Sequence, residues 1–220
     1  MKDQVEYLNC GICNKNKKDS AECKIGVLRT KNDFENIFNI SQDPWGHEKF
    51  NKWELKSIKE IRELIKRNIS MKNLKILDVG IATGEKDYDI LKEFKSSNNF
   101  YFVDISSRAL AKAKQLIKFG EFIESDINNG LDFDNCYFDL VLLLEIIYYL
   151  DLKKVIPELE RLIKKKGYLI LDITLKDDVH KYNAQELFKL LLARFSLLDS
   201  KYIECDNCKR NRGFFIFQKN

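Results

Sequence analysis

From residue 74 onward, apolar positions alternate between two rhythms. Continuous apolar runs near 74–79, 99–104, 120–124, 138–144 and 167–173 are of strand length. Between them, near 85–95, 106–118, 153–164 and 183–194, apolar residues recur every three to four positions, which predicts helices. Ser106 stands where a helix N-cap is expected, and Gly167 where the third of these helices would stop. Strand–helix alternation of this kind predicts an α/β fold with parallel strands and right-handed crossovers. The C-terminus departs from it. Segments 196–205 and 213–218 are both strand-like and are joined by the short link 206–212, so the last strand must run antiparallel. The expectation is a seven-stranded, mostly parallel sheet closed by an antiparallel C-terminal hairpin.

Ahead of the first strand, Thr30 to Ile40 reads as a short helix with Phe34, Ile37 and Phe38 on one face. The turn Ser41-Gln-Asp-Pro-Trp-Gly46 breaks it. From about 47 to 69, Phe50, Trp53, Ile58, Ile61, Leu64 and Ile65 recur at helical spacing. Residues 1–30 are polar, rich in lysine and nearly aperiodic. The organisation expected is therefore a cysteine-bearing segment, 1–30, and one domain, 31–220, whose residues 31–70 form a helical cap.

A chain of 220 residues, 45% apolar, suffices for one domain with a full core. The net charge of +4 is spread among interspersed acids and bases, which predicts a mixed-charge surface and no nucleic-acid stripe. No apolar run reaches the length needed to cross a bilayer, and no secretory segment follows Met1, so a cytoplasmic protein without membrane insertion is expected. Six cysteines, at 10, 13, 23, 136, 205 and 208, point to metal or redox chemistry in that compartment more than to disulfides.

The densest chemistry lies in Leu74-Lys-Ile-Leu-Asp-Val-Gly-Ile-Ala-Thr-Gly-Glu85. An apolar strand ends in an acid, Asp78, and delivers a glycine loop at the sheet edge where open α/β sheets bind ligands. Gly80 and Gly84 permit close backbone approach, and the helix that follows offers unpaired N–H groups. A second acid, Asp104, ends the next strand, where a carboxylate can take both hydroxyls of a ribose. The pair predicts a nucleoside-containing cofactor.

With the C-terminal hairpin, these motifs resemble the class I S-adenosylmethionine (SAM)-dependent methyltransferases, which have a Rossmann-like fold. Asp78-Val-Gly-Ile-Ala-Thr-Gly84 is similar to their first motif, with Ala82 where glycine is commoner. Asp104, followed by Ile105, stands at the ribose-binding acid, and Ser125-Asp126-Ile127 where the family reads adenine. Phe138 to Leu150 resembles the fourth strand and the loop that faces the methyl group. A nicotinamide-binding fold is the rival for the two acids. It usually requires three glycines and does not predict the hairpin.

A narrower resemblance, over about 40–175, is to the nodulation-protein-S group, amino-sugar N-methyltransferases. It is carried by Asp43-Pro-Trp45, Trp53-Glu54 and Glu145-Ile-Ile-Tyr-Tyr-Leu150. It implies a small polar acceptor, a sugar or surface-glycan precursor, methylated on nitrogen or oxygen by a monomer or homodimer. The alternatives are a non-catalytic zinc-bearing module on a methyltransferase scaffold and a methyltransferase for another small metabolite.

Methyl transfer from a sulfonium needs alignment more than a catalytic dyad, and orientation alone can supply roughly 7–11 kcal/mol. His47 beside the Asp-Pro-Trp turn is a candidate base. His180, in a polar loop, is expected on the surface. Of Tyr148 and Tyr149, one is expected in the core and one at the acceptor. Glu145 is a candidate for orienting an ammonium, and Trp45 and Trp53 for walling the acceptor site. The pairs Cys10/Cys13 and Cys205/Cys208 have the spacing of a four-thiolate zinc site, with Cys23 as a spare ligand and Cys136 in a loop before the fourth strand.

Overall fold

The computed structural model describes residues 30–41, 44, 52–174, 184–204 and 211–220. Among the described residues, two helices, α1 (Lys31–Ile40) and α2 (Lys52–Asn68), precede the first strand. The alternating body follows: β1 (Lys75–Val79), α3 (Glu85–Leu91), β2 (Asn99–Asp104), α4 (Ser107–Leu116), β3 (Glu121–Glu124), β4 (Phe138–Leu144), α5 (Leu152–Leu162) and β5 (Ile163–Thr174). Helix α6 (Ala184–Leu192) leads into β6 (Phe195–Glu204) and β7 (Asn211–Lys219).

The seven strands lie in the order β3-β2-β1-β4-β5-β7-β6. The first five are mutually parallel, and β7 inserts antiparallel between β5 and β6. This is the mostly parallel, Rossmann-like sheet with an antiparallel C-terminal hairpin that the sequence predicts. Strand order reverses between β1 and β4, and a ligand crevice is expected outside the carboxyl ends of strands at such a switch point.

Strands β1, β2, β4 and β7 are mostly apolar because both faces are covered. Successive side chains alternate between two cores. Leu77, Val79, Val103, Val141, Leu143, Leu169 and Phe215 pack with residues of α5 and α6. Ile76, Phe100, Phe102, Leu140, Leu142, Ile170 and Phe214 pack with residues of α2, α3 and α4.

Helix starts follow local chemistry. Thr30 and Asp33 form a reciprocal capping box on α1. The Ser106 hydroxyl accepts from the Ala109 N–H, 3.2 Å, as the expected N-cap of α4. Gly167 is a correction. Helix α5 ends at Leu162, five residues before Gly167, because Ile163 is already extended at φ −77°, ψ 134°. Gly167 instead lies within β5 at a bulge, where the register with β4 shifts and Lys166 is left-handed at φ 63°. A Cβ there would sit 2.8 Å from Ile163 Cγ2 and 3.0 Å from the Asp139 carbonyl oxygen. Strand β7 also starts earlier than expected, at Asn211, which moves Arg212 from the predicted link into the sheet.

Candidate active site

Val79 of β1 delivers the chain into a loop of left-handed residues: Gly80 at φ 80°, Ala82 at φ 49° and Gly84 at φ 86°. Gly80 is required by packing as well as conformation, since a Cβ would lie 2.1 Å from Ile146 Cδ1. Gly84 is the N-cap of α3, and a Cβ there would meet Ile117 Cδ1 at 3.0 Å. Ala82 tolerates a conformation that favours glycine because its N–H is anchored on Asp104 Oδ2 at 2.8 Å.

The loop opens into a cleft at the switch point. Its lining includes Gly80, Ala82, Lys86 and Asp87 from the β1–α3 turn, and Asp104 and Ile105 from the end of β2. Ser125, Asp126, Ile127 and Asn128 follow β3, and Leu144, Glu145, Ile146, Tyr149 and Leu150 follow β4. Phe34 and Phe38 of α1 close it from above, and Phe34 meets Tyr149 edge-to-face at 5.4 Å. Helix α1 is held there by Glu35, whose Oε1 accepts from the Ser107 N–H, 2.7 Å, and hydroxyl, 2.9 Å, at the start of α4. Its other oxygen pairs with Arg108 at 3.1 Å.

Asp104 is almost fully buried, and burial pushes its carboxyl up to about 6. Its oxygens accept from the Ala82 and Ser106 N–H groups at 2.8 and 2.9 Å. A carboxylate has about four acceptor sites, so capacity remains for ligand hydroxyls. Asp126 accepts from the Asn128 N–H at 2.9 Å and fixes the turn after β3. Asp78 lies beneath the loop, fully buried. Burial first, then repulsion from Asp87, pushes it well above the carboxylate range. Neither of its oxygens has a hydrogen-bond partner among the described residues, and its neighbour Asp87 is itself pushed up to about 6 by burial.

Glu145 carries the other strained backbone of the site, φ 58°, and its N–H donates to the Asp172 carbonyl at 3.0 Å. Its Oε2 pairs with Arg212 and lies 3.6 Å from Lys86 Nζ. The short turn after it is capped by the backbone of Ile146, with no part for the Glu145 side chain. Tyr148 is buried, and its hydroxyl accepts from the Thr174 N–H, while Tyr149 lines the cleft.

Of the expected site residues, the cleft brings together Gly80, Ala82, Asp104, Ile105, Ser125, Asp126, Ile127, Glu145 and Tyr149. Asp78 and Gly84 support the loop from behind. Trp53 packs at the start of α2 against the core and is not among the lining residues. Trp45, His47, His180, Cys10, Cys13, Cys23, Cys205 and Cys208 lie outside the described residues. Among the described residues, no group of three or more potential ligands could hold a metal ion, and no helix is long and apolar enough to cross a membrane. Cys136 is exposed, in the loop before β4 as expected. Sequence reasoning missed Phe34 and Phe38 as cleft residues, and Lys86, Asp87, Asp172 and Arg212 as a charged floor. Lys86 and Asp87 had a signal, their place in the first turn after the glycine loop. Arg212 had none.

The lining carries four carboxyls, Asp87, Asp104, Asp126 and Glu145, against one ammonium, Lys86. Such a cleft suits hydroxyls and cationic groups and repels a pyrophosphate. Together with apolar walls from Phe34, Phe38, Ile105 and Ile127, it fits SAM, which joins a ribose and an adenine to a sulfonium and an ammonium, and not a dinucleotide.

Comparison with known proteins agrees. Residues 70–205, more than half of the chain, match a family model described as a methyltransferase domain. The chain belongs to that family and has the fold of the class I SAM-dependent methyltransferases. An uncharacterized protein of Methanocaldococcus jannaschii is 29% identical over 140 residues, 64% of this chain and 58% of that protein. The chain thus matches little more than half the length of this curated relative. Among solved structures, the N-methyltransferase NodS of Bradyrhizobium japonicum WM9, in complex with S-adenosyl-L-homocysteine (SAH), superposes with a TM-score of 0.70 at 17% identity. The match covers 87% of this chain and 99% of that one. Magnesium protoporphyrin IX methyltransferase of Synechocystis PCC 6803, with bound SAM, gives 0.65 at 14% identity, covering 88% and 98%.

Proposed function

We propose that this protein binds SAM in the cleft and transfers its methyl group to a nitrogen or oxygen of a small polar acceptor, a sugar or surface-glycan precursor. The observation that carries the reading is the acid-rich, phosphate-averse lining around Asp104. In this reading Asp104 accepts the ribose hydroxyls, Ile105 and Ile127 flank the adenine, and Ser125 and Asp126 read its edge. Gly80, Ala82 and Gly84, with Asp78 beneath them, shape the loop against the methionyl part. The bound cofactor supplies the reactive methyl carbon. The chain's own residues hold it in line, and Phe34, Phe38 and Tyr149 keep water from the reacting centre.

Glu145 receives the cofactor's ammonium or an acceptor amine, Tyr149 faces the acceptor, and Tyr148 sets the loop that carries them. The acceptor wall is completed by Trp45, and His47 takes the acceptor proton. The reading also includes one structural zinc on Cys10, Cys13, Cys205 and Cys208, for which the cysteine spacing is the support.

The test is SAH release from SAM with a panel of amino sugars, neutral sugars and non-sugar amines. Acceptor-dependent release confined to the sugars supports the proposal, and turnover with non-sugar amines alone removes the sugar from it. A protein that binds neither SAM nor SAH would be a scaffold without transferase activity.

A further inference from the structure

Beneath the cleft four charged side chains close a ring. Asp172 of β5 places Oδ1 2.9 Å from Arg212 Nε and Oδ2 against Lys86 Nζ. Glu145 Oε2 meets the same two cations from the other side, paired with Arg212 and 3.6 Å from Lys86. Asp172 and Arg212 are fully buried and Lys86 nearly so. Lys86 and Glu145 both line the cleft, and Glu145 is the most exposed of the four, with 27% of its side chain accessible.

Arg212 makes one further contact, Nη1 to Ser57 Oγ at 3.0 Å, and the buried Glu54 lies near it. Both are on α2, so a single guanidinium joins the last strand, β5, the cap and the cleft wall. Burying these ions is costly, and an apolar filling of the same volume would be about as stable. Stability alone does not account for the ring. Its most exposed member, Glu145, sits on a left-handed backbone, which persists only where its surroundings enforce it.

We propose that Arg212 is a positioning residue, which fixes the Glu145 carboxylate at the cleft wall and ties the seating of the cap helix α2 to occupancy of the cleft. The three-way span needs the planar fork of arginine. A lysine keeps the charge but offers one compact ammonium. The proposal rests on the cleft being the cofactor site.

Calorimetry with SAH tests it on Arg212→Lys, Arg212→Met, Glu145→Gln and the Lys/Gln double variant. Arg212→Lys is expected to weaken SAH about 5-fold in the parent and to have no further effect beside Glu145→Gln, because contacting residues couple. Arg212→Met should weaken SAH at least as much. If it does not fold, the lysine pair still completes the cycle. Equal fold-losses in both backgrounds, or a lowered Tm with SAH affinity unchanged, would make Arg212 a structural residue only and overturn the proposal. Failure of the unsubstituted protein to bind SAH or SAM would overturn the cofactor reading, and this proposal with it.

Discussion

Asp104 concentrates the behaviour of the site in one side chain. Its carboxyl is raised to about 6 in the fold against an ordinary 3.8, so between those values the folded protein holds a proton that the unfolded chain has released. Raising the pH through that window therefore costs stability, and the buried Asp87 and Asp172, also about 6, act in the same direction. Ligand binding runs the opposite way, because the ionised carboxylate is the form that accepts two ribose hydroxyls. SAH affinity, measured by calorimetry, should fall about 10-fold between pH 7.5 and 5 as Asp104 takes up its proton. Asp104→Asn should weaken binding about 10-fold at pH 7.5 and flatten that dependence, since hydrogen bonds to a charged group contribute roughly 1.5–3 kcal/mol. A slope unchanged in Asp104→Asn would move the titrating group to Asp87, which also lines the cleft. Asp104 was legible in the sequence because an acid ending an apolar run is a local pattern. Arg212 was not. Its partners Ser57, Glu145 and Asp172 are 155, 67 and 40 positions away, and a lone arginine in a polar stretch resembles any surface arginine until the sheet is assembled.

At the scale of elements, α1 acts as a cover whose hold on the body is local and electrostatic. Ile37 and Phe38 are buried beneath it. Glu35 receives the Ser107 N–H at the positive end of α4, and hydrogen bonding to Ser107 and the charge of Arg108 lower its carboxyl in spite of burial, which acts upward. Glu35→Ala should cost up to about 1 kcal/mol at that helix end. Because α1 brings Phe34 and Phe38 to the cleft, the same change should weaken SAH several-fold and speed proteolytic cleavage near α1. If SAH affinity is unchanged, α1 is packed on the body without covering the ligand. The helix was predicted from the spacing of Phe34, Ile37 and Phe38, and its start from Thr30. Its role as a cap was expected from its place ahead of the first strand and not from its periodicity, which identifies an apolar face and not the surface that receives it. The end of α5 shows the complementary failure. A glycine after a helical run reads as a stop, but here the backbone is already extended at Ile163, and Gly167 serves the crowding of a bulge.

Across the whole molecule, the sheet order explains why residues far apart in sequence share one cleft. Parallel strands β1, β2, β3 and β4 present their carboxyl ends at the same edge, so Gly80, Asp104, Asp126 and Glu145 meet there although they lie 24, 22 and 19 positions apart in turn. The antiparallel β7 brings Arg212 to that edge from the other direction, starting where the parallel strands end: its register pairs Arg212 with Thr174, the last residue of β5. A ligand in the cleft therefore touches the ends of four strands and the cap together, and binding should stabilise the domain as a unit. SAH at about 100 times its dissociation constant adds about 2.7 kcal/mol to the unfolding free energy. For a chain of this length, that corresponds to a Tm increase of roughly 5–10 °C in a thermal melt. NAD at the same concentration should leave Tm unchanged, because its pyrophosphate would have to lie among Asp87, Asp104, Asp126 and Glu145 with only Lys86 as a counter-charge. A shift with NAD and none with SAH would require the cleft to hold phosphates, and the acid-rich lining would then have to belong to some other ligand.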